Sequence, residues 1–264
     1  MGGHIPTLSA IKVRQLEPAH AAMRIMAICD THLDSSEEAV PAYLVAKKFC
    51  ADIRPDILVV AGDFLDFNYM SKFTKDAPLL TEGRRYQKDV DMAVEELGEW
   101  RRYCGAMEFL PGNHEERLTR YIERYPMLQG KMGVQEDLQL YGMGIGWTEY
   151  NAVLSIGKLN FTHGWYYNKY HAMKHLNDMG DHLFYGHVHD HQVVIKPVRA
   201  KRESYIAMSM GCLCSKNPAW KRNRPNEWVN GVGFFEVSTT GNFTPLFIPI
   251  IDGELSYGGY TWRA

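Results

Sequence analysis

Two fragments of the chain begin with glycine and continue with amide and imidazole side chains: Gly112-Asn113-His114-Glu115 and Gly186-His187-Val188-His189. Glycine lets the backbone turn sharply, so both fragments are expected to be loops. Amide oxygens and imidazole nitrogens are typical ligands of divalent transition metals. The two fragments therefore indicate a metal site that unites distant parts of the chain.

Apolar, strand-like segments lead into further polar clusters. Residues 23–29, 57–61 and 159–162 run into Asp30-Thr31-His32, Gly62-Asp63-Phe64-Leu65-Asp66 and His163-Gly164. In an open α/β sheet, the loops that follow the carboxyl ends of the strands converge on one crevice. We therefore expect five loops, far apart in sequence, to share a single site.

The residue types in these loops restrict the metal. Imidazole, carboxylate and amide ligands without a thiolate suit Mn, Fe, Ni or Zn, and they argue against Ca and against a structural cysteine zinc site. The candidate ligands are too many for one ion. With one shared carboxylate they fit two ions about 3.5–4 Å apart, an arrangement that activates water for displacement at phosphorus.

Taken in order, these clusters resemble the five signature motifs of the calcineurin-like metallophosphoesterases. The motifs are Asp30-Thr31-His32, Gly62-Asp63-x-x-Asp66, Gly112-Asn113-His114-Glu115, His163-Gly164 and Gly186-His187-x-His189. They extend over residues 30–189, and an ordered set of five is far more specific than any one of them. The resemblance implies an α/β fold, a four-layer sandwich of two mixed β-sheets flanked by helices.

The resemblance also implies a ligand set for each ion. The first ion is expected to bind Asp30, His32 and His189, and the second Asn113, His163 and His187. Asp63 is expected to bridge the two. The implied cofactor is a pair of divalent ions, with Mn expected first and Fe, Ni or Zn as alternatives. A metal-bridging hydroxide would then attack phosphorus in line.

Two further residues are implied to act in catalysis. His114 is expected to face the substrate and to protonate the leaving oxygen, with Asp66 orienting its ring. Asn113 is also expected to contact the substrate. Phe67 and Pro111 stand where protein phosphatases of this family carry phosphate-binding arginines, which disfavours that activity, and Arg117 becomes the candidate phosphate ligand.

The pattern along the chain indicates one main domain. Residues 1–22 are predicted to be an N-terminal extension, and residues 23–264 the metallophosphoesterase domain with a helical insertion at 67–105. An apolar stripe over residues 86–100 predicts the helix of that insertion, and residues 68–82 are a candidate wall of the cleft. Ser35-x-x-Glu38 is a capping-box pattern that predicts a helix to about Ala51, although Pro41 requires either a start near Val40 or a local kink. Residues 126–149 predict no element.

Hairpins are predicted in the second half of the chain. Short β-like runs separated by turn residues occur at 152–156 and 158–162, at 192–198 and 204–209, and at 231–238 and 243–248. Residues 170–179 predict a helix. Of the histidines outside the motifs, His4, His20, His171, His175, His182 and His191 are expected to be structural or surface residues, with His191 as the best candidate for a role near the site.

Composition agrees with a globular enzyme. The 264 residues are 45% apolar and carry a formal charge of −2, and five cysteines do not resemble a disulfide framework. The close pair Cys212 and Cys214 could bind metal or oxidise, but without neighbouring ligands it is expected to be structural. No apolar stretch approaches the roughly 20 residues that cross a bilayer, and no apolar signal-peptide core is present. We therefore expect a cytoplasmic location and no membrane partner.

A basic run bears on the substrate. Glu203 is the one acid between Lys196 and Arg224, against eight basic residues: Lys196, Arg199, Lys201, Arg202, Lys216, Lys221, Arg222 and Arg224. Trp220 and Trp228 flank its most basic part. Such a segment can follow a phosphate backbone and stack bases, or it can be a solvated surface. The expected substrates are phosphodiesters of nucleotides or single-stranded nucleic acid ends; the alternatives are a phosphomonoesterase of small metabolites and a non-catalytic binding module.

Overall fold

The computed structural model describes residues 12–16, 22–72, 74, 76, 79, 81–198 and 203–264, which form two six-stranded β-sheets and a two-stranded ribbon. The strands are β1 (Val13–Leu16), β2 (Met23–Ile28), β3 (Ile57–Ala61), β4 (Ala106–Leu110), β5 (Ile145–Trp147), β6 (Val153–Ile156), β7 (Leu159–Thr162), β8 (Leu183–Tyr185), β9 (Val193–Val198), β10 (Glu203–Ser209), β11 (Gly231–Val237), β12 (Phe243–Pro249), β13 (Glu254–Tyr257) and β14 (Tyr260–Arg263). The helices are α1 (Pro41–Ile53), α2 (Tyr86–Arg102), α3 (Glu116–Arg124), α4 (Val134–Asp137) and α5 (His171–Met179). None of the helices in these ranges is long and apolar enough to cross a bilayer.

The first sheet has the strand order β12-β11-β2-β3-β4-β5. Strands β2, β3, β4 and β5 run parallel to one another. Strand β11 is antiparallel to both of its neighbours, β2 and β12. The predicted strand-helix-strand unit is confirmed, with Ile25 of β2 opposite Ile57 of β3. The predicted hairpin of β11 and β12 is confirmed as well.

The second sheet has the order β1-β6-β7-β8-β10-β9. Its two predicted hairpins, β6 with β7 and β9 with β10, are confirmed as antiparallel pairs. Strand β8 pairs in parallel with both β7 and β10. Strand β1, within the predicted extension, pairs in parallel with β6 at the sheet edge. Both sheets are therefore mixed.

Alternate residues of the central strands face two different cores. In β2, Ile25 and Ala27 pack between the sheets against residues of the second sheet such as Phe161 and Phe184. Met26 and Ile28 face the other way, into the core formed with α1 and α2. Helix α5 covers the outer face of the second sheet. The four layers are helix, sheet, sheet and helix, so the predicted four-layer sandwich is confirmed.

Of the predicted starts of the first helix, the capping-box start is wrong and the start near Val40 is confirmed. Helix α1 begins at Pro41, and Val40 is its extended N-cap without a side-chain hydrogen bond, so Ser35-x-x-Glu38 is not a capping box. Proline fits the first turn of a helix, whereas the residue before it is restricted to extended backbone. The segment before α1 is instead a turn in which Ser36 donates to Asp34.

Several elements were not predicted from the sequence. Within residues 126–149 the structure has α4 and the edge strand β5, and near the carboxyl end it has the ribbon β13-β14. Strand β5 has three residues and pairs with β4, and no local periodicity distinguishes so short an edge strand. The predicted helix at 86–100 is confirmed as α2, with Val90, Ala93, Leu97 and Trp100 buried.

Candidate metal centre

The five polar loops all follow the carboxyl ends of strands. Asp30, Asp63 and Asn113 come two or three residues after β2, β3 and β4, which lie side by side and parallel. His163 and His187 follow β7 and β8, which are parallel in the other sheet. Both sheets therefore present these loops to the same edge of the sandwich, as predicted from the sequence.

Strained backbone places the side chains in these loops. Asp30, His32, Asp63, His187 and His189 all have positive φ angles, between 47° and 72°. A residue with a Cβ adopts this left-handed region only where the surrounding structure imposes it. Five such residues in one site indicate that these loops keep a less favourable backbone conformation because it places their side chains in the site.

Two glycines allow the loops to approach each other. A Cβ on Gly112 would lie 2.1 Å from Asp63 Oδ1, and a Cβ on Gly186 would lie 2.4 Å from Asp30 Oδ2. Both contacts are far shorter than van der Waals contact, so any other residue would displace a carboxylate. The glycines that begin the two most informative fragments are therefore required by close packing against aspartates.

One group of ligand atoms gathers around Asp30. His189 Nε2 lies 3.2 Å from Asp30 Oδ1 and 3.1 Å from His32 Nε2. His32 Nε2 is also 3.9 Å from Asp30 Oδ1 and 3.8 Å from Asp63 Oδ2. These are the residues expected to hold the first ion, together with the expected bridging carboxylate.

A second group gathers around His163. Its Nε2 lies 3.3 Å from Asp63 Oδ2, 3.1 Å from Asn113 Oδ1 and 3.2 Å from His187 Nδ1. The same oxygen of Asp63 therefore faces both groups. The structure brings together every residue that the sequence singled out as a ligand, and it divides them as the family pattern implies.

In Asp30, Asp63 and His163, the polar atom that faces away from the other candidate ligands is held by a backbone group. Asp30 Oδ2 accepts the N–H of His187 at 2.8 Å, and Asp63 Oδ1 accepts the N–H of His114 at 2.8 Å. His163 Nδ1 lies 2.9 Å from the carbonyl oxygen of Ala61. These partners orient each side chain and leave one atom of each directed into the site.

Asp30 provides a direct test of whether the site fits a cation. Its side chain is fully buried, and Oδ1 accepts no hydrogen bond of good geometry although His189 Nε2 lies 3.2 Å away. A buried carboxylate oxygen without a donor is costly unless a positive charge lies beside it. The donor set of carboxylate, imidazole and amide atoms is that of a divalent transition-metal site. The residues present therefore fit two cations that share Asp63.

The pKa values of the histidines also indicate that the buried carboxylates require positive charge beside them. Burial favours the neutral form of His163, but the Asp63 carboxylate outweighs it and raises the pKa of His163 to about 9. Burial is likewise outweighed at His189, where Asp30 raises the pKa to about 10. Burial, with His163 nearby, lowers the pKa of His187 to about 4. Protons on His163 and His189 thus provide the positive charge that the carboxylates require when no metal is bound.

His114, Asp66 and Arg117 form a separate cluster beside the ligands. His114 Nδ1 lies 3.0 Å from Asp66 Oδ1 and 2.7 Å from the Asp66 carbonyl oxygen. Arg117 is within 2.8 Å of His114 Nε2 and donates to the same carbonyl oxygen at 2.7 Å. Burial would raise the pKa of Asp66, but hydrogen bonds with His114 and His32 hold it below its usual value. Asp66 is thus an ionised acceptor next to His114.

Glu115 supports the site in a way that the sequence motif did not reveal. It is fully buried and accepts three backbone N–H bonds, from Asp63 at 3.0 Å, Leu65 at 2.9 Å and Gly112 at 2.7 Å. It therefore fastens the loop of the bridging aspartate to the loop of Asn113. The quoted motif contained Glu115, but only the folded loops show its partners.

Three further residues have contacts at the site that were not predicted. Cys214 Sγ lies 3.6 Å from His189 Nδ1, and Trp228 packs on the same imidazole with ring centres 4.0 Å apart. Arg84, from the insertion, pairs with Asp34 and, at 3.1 Å, with Glu37. The close pair of cysteines in the sequence was the one signal that could have indicated Cys214. All five cysteines are free thiols.

A cleft opens from the metal centre between two walls. The described residues of the predicted wall, including Asn68, Ser71 and Asp76, lie on one side. Residues 214–228, which we call the tryptophan loop, lie on the other. Arg84 and Trp220 line its inner part, which holds most of the candidate ligands. Trp220, Arg222 and Arg224 line its outer part, which begins at Asn113, His114 and Arg117.

The predicted basic run is divided by the fold. Lys196 lies in the edge strand β9, where it donates to Asn177 at 2.6 Å, and it does not line the cleft. Arg222 and Arg224 do line it. Arg199, Lys201 and Arg202 lie outside the described residues.

The histidines outside the motifs have other environments. His191 stacks on Phe247 with ring centres 4.0 Å apart, away from the cleft. His171 and His175 are buried, and His182 contacts Tyr205 and Phe243. His4 and His20 lie outside the described residues.

Known proteins resemble this chain along most of its length. The Gene 54 protein of Mycobacterium phage D29 is 26% identical over 263 residues, which cover 91% of this chain and 98% of the phage protein. Among solved structures, a single mutant of Vps29 from Entamoeba histolytica has a TM-score of 0.47 and 13% identity, covering 89% of this chain and 96% of that chain. GAP50, the anchor in the inner membrane complex of Plasmodium, has a TM-score of 0.39 and 13% identity, covering 92% and 88%.

The family model for calcineurin-like phosphoesterases matches residues 23–191. The matched region covers more than half of the chain and contains all five ligand loops. The chain belongs to the calcineurin-like phosphoesterase family.

Proposed function

We propose that this protein is a phosphoester hydrolase that uses two divalent metal ions. The observation that carries the proposal is the position of one carboxylate oxygen. Asp63 Oδ2 lies 3.3 Å from His163 Nε2 and 3.8 Å from His32 Nε2, so it faces both groups of ligand atoms. A shared oxygen of this kind is what a two-ion centre requires.

The ligand assignment follows from the two groups. Asp30, His32 and His189 would hold the first ion, Asn113, His163 and His187 the second, and Asp63 would bridge them. When bound, the two ions would activate a water molecule and neutralise charge on the phosphoryl oxygens. Mn is the ion to test first, with Fe, Ni or Zn as alternatives, because nitrogen and oxygen ligands predominate.

His114 would complete the reaction by protonating the leaving oxygen. Its ring lies at the edge of the ligand groups, with Nε2 3.8 Å from Asp63 Oδ2. Asp66 at Nδ1 fixes the ring plane. Arg117, which can only donate, lies at Nε2 and must leave that nitrogen before it can carry the proton for the leaving oxygen. A positioned imidazole of this kind supplies a proton as the phosphorus–oxygen bond breaks, so that the leaving group departs as an alcohol.

Phosphodiesters are the proposed substrates, and those of nucleotides or nucleic acid ends come first. A phosphomonoester carries two negative charges and needs more cationic contacts than a diester does. Both arginines nearest the ligands are already engaged, Arg84 with Asp34 and Glu37, and Arg117 with the Asp66 carbonyl and His114. This engagement favours the singly charged diester over the alternative, a small phosphomonoester.

Metal analysis of two variants tests the centre. Asp63→Ala should lose both ions and all turnover, because it removes the shared oxygen, whereas His189→Ala should lose the first ion preferentially. The two purified variants are loaded with Mn and analysed for metal per chain. Two ions retained by Asp63→Ala would show that the centre is not bridged by this residue.

Activity assays test the substrate class. The Mn-loaded protein should hydrolyse bis-p-nitrophenyl phosphate faster than p-nitrophenyl phosphate. A reversed preference would favour the phosphomonoesterase. No hydrolysis of either compound, with two ions bound, would favour the third alternative, a binding module on the same fold.

A further inference from the structure

The tryptophan loop, residues 214–228, places an aromatic surface next to the metal centre. Trp228 covers His189, and Trp220 lies beside Trp228 with ring centres 6.0 Å apart. Lys221 Nζ is 4.0 Å from the centre of the Trp228 ring. A continuous line of contacts therefore runs from a metal ligand to Trp220.

Trp220 is open to solvent although it belongs to this line. The residue is 54% exposed, whereas the other five tryptophans are buried or half-buried. It lines both the inner and the outer part of the cleft. The loop around it is held internally, since Asn217 donates to Asn223 at 2.6 Å and Asn226 to the Lys216 carbonyl at 2.9 Å. A structured loop thus presents an indole face to the cleft.

Beyond Trp220 the cleft carries uncompensated positive charge. The tryptophan loop contains Lys216, Lys221, Arg222 and Arg224 against the single acid Glu227. Within the described ranges, neither Arg222 nor Arg224 forms an ion pair with a carboxylate. The opposite wall contributes Asp76, and Asp66 at the inner end is engaged with His114. Two arginines therefore remain available to an anion that lies past the indole.

We propose that Trp220 stacks on a nucleobase and that Arg222 and Arg224 bind the phosphate next to that base, so that the cleft takes a single-stranded oligonucleotide. The proposal rests on the proposed function, because it places the scissile phosphate at the metal centre. An aromatic face with cationic side chains beside it is the combination that binds single strands without sequence preference. In a duplex the bases stack on each other, and their faces do not reach an indole.

The first experiment measures the subsite in turnover. For the Mn-loaded protein, kcat/KM is measured for hexathymidylate and for bis-p-nitrophenyl phosphate, and the ratio of the two is compared between variants. Trp220→Ala should lower this ratio about 5- to 100-fold, as expected for one lost base stack, and Trp220→Phe should restore most of it. Lys196→Gln is the matched control, since it removes a charge of the same basic run outside the cleft, and it should leave the ratio unchanged.

The second experiment measures binding without turnover. A fluorescent phosphorothioate hexathymidylate, which resists hydrolysis, is titrated with Mn-loaded protein at several salt concentrations. Arg222→Gln combined with Arg224→Gln should weaken binding and make the salt dependence shallower by about 0.7 in the log–log slope, as expected when one phosphate of a single strand is no longer neutralised. Binding of the strand should also quench tryptophan fluorescence, and Trp220→Phe should remove that quenching.

Distinct results would overturn the proposal. An unchanged ratio in Trp220→Ala, or the same loss in Trp220→Phe as in Trp220→Ala, would show that no base stacks there. A duplex that binds as tightly as the single strand would also contradict it. If the protein hydrolyses no diester at all, the proposed function fails, while the binding experiment still decides whether the subsite exists.

Discussion

The backbone N–H of His187 donates a hydrogen bond to Asp30 Oδ2 at 2.8 Å. The loop after β8, in one sheet, is thereby joined to the loop after β2, in the other. The two oxygens of Asp30 thus have different roles. Oδ2 holds the loop that carries His187, and Oδ1 faces Nε2 of His189, a candidate metal ligand, at 3.2 Å. Substitutions at this position can separate the two roles.

Asp30→Asn should preserve the loop contact and lose the first ion. The amide oxygen can still accept from His187, but the NH₂ group then takes the position of Oδ1 and presents hydrogens to the ion site. Asp30→Ala should lose both the ion and the loop contact. Thermal unfolding of the two metal-free variants, with metal content of the loaded ones, checks this, and equal melting temperatures would show that the His187 contact contributes nothing.

Glu115→Gln should destabilise the protein and weaken metal binding although Glu115 is not an expected ligand. One carboxylate oxygen accepts from Asp63 and Gly112 and the other from Leu65, so an amide must direct its NH₂ group at a backbone N–H. A buried mismatch of this kind costs about 1–3 kcal/mol. Urea unfolding measures the loss, with Glu116→Gln as the control, since Glu116 is the next residue and pairs with Arg120 at 3.8 Å, away from the candidate ligands. Equal stability of the two variants would contradict the role given to Glu115.

Metal binding should release protons, and metal affinity should rise with pH up to about 9 to 10. His163 and His189 have pKa values of about 9 and 10 in the metal-free site because Asp63 and Asp30 outweigh burial. Both imidazoles are therefore protonated at pH 7, and each must lose its proton to bind an ion. Calorimetric titrations with Mn in two buffers of different ionisation enthalpy should give different heats, with about two protons released per chain. Identical heats would contradict the expected protonation.

The same shifts predict how the stability of the metal-free protein depends on pH. The folded pKa values lie above the unfolded value of about 6.5. The contribution of these two histidines is therefore fully present below pH 6.5, and it is lost as pH rises through 9 and 10. Unfolding of the metal-free protein at pH 6, 8 and 10 should show that loss, and it should be absent in the variant His163→Ala combined with His189→Ala.

The sequence could predict that the candidate ligands lie close together because each follows an apolar run. Asp30, Asp63 and Asn113 come after strands whose parallel pairing fixes where their loops meet, so strand order and residue type were sufficient. Trp228 and Cys214 could not be predicted in the same way. Their contacts with His189 depend on the course of the tryptophan loop, which is set by bonds from Asn230 to the carbonyls of Cys212 and Cys214 at 3.2 and 2.9 Å. Hydrogen bonds of this kind cannot be inferred from the local sequence pattern.

In the fold, too, the elements with a clear sequence pattern were predicted and those without one were not. Helix α2 and the three hairpins have repeating apolar positions or clear turn residues, and all were predicted. Strand β1 pairs with β6 at a sheet edge, and β13 pairs with β14 in a separate ribbon. Each of these strands has only four residues, too few for a clear alternation of apolar and polar residues. The start of α1 depended on choosing between a capping pattern and Pro41, and the restriction that proline imposes on backbone geometry was decisive.

His114→Ala should separate binding from chemistry. The side chain lies beside the ligand groups and is held by Asp66 and Arg117, so its removal should leave two ions per chain and the fold unchanged. Turnover of a diester with a poor leaving group, such as an alkyl alcohol, should fall about 10²–10⁴-fold, as expected for a lost general acid. The loss should be much smaller for bis-p-nitrophenyl phosphate, because nitrophenolate leaves without protonation. Steady-state kinetics on both substrates with the Mn-loaded variant make the comparison, and equal losses would mean that His114 stabilises charge or position and does not donate the proton.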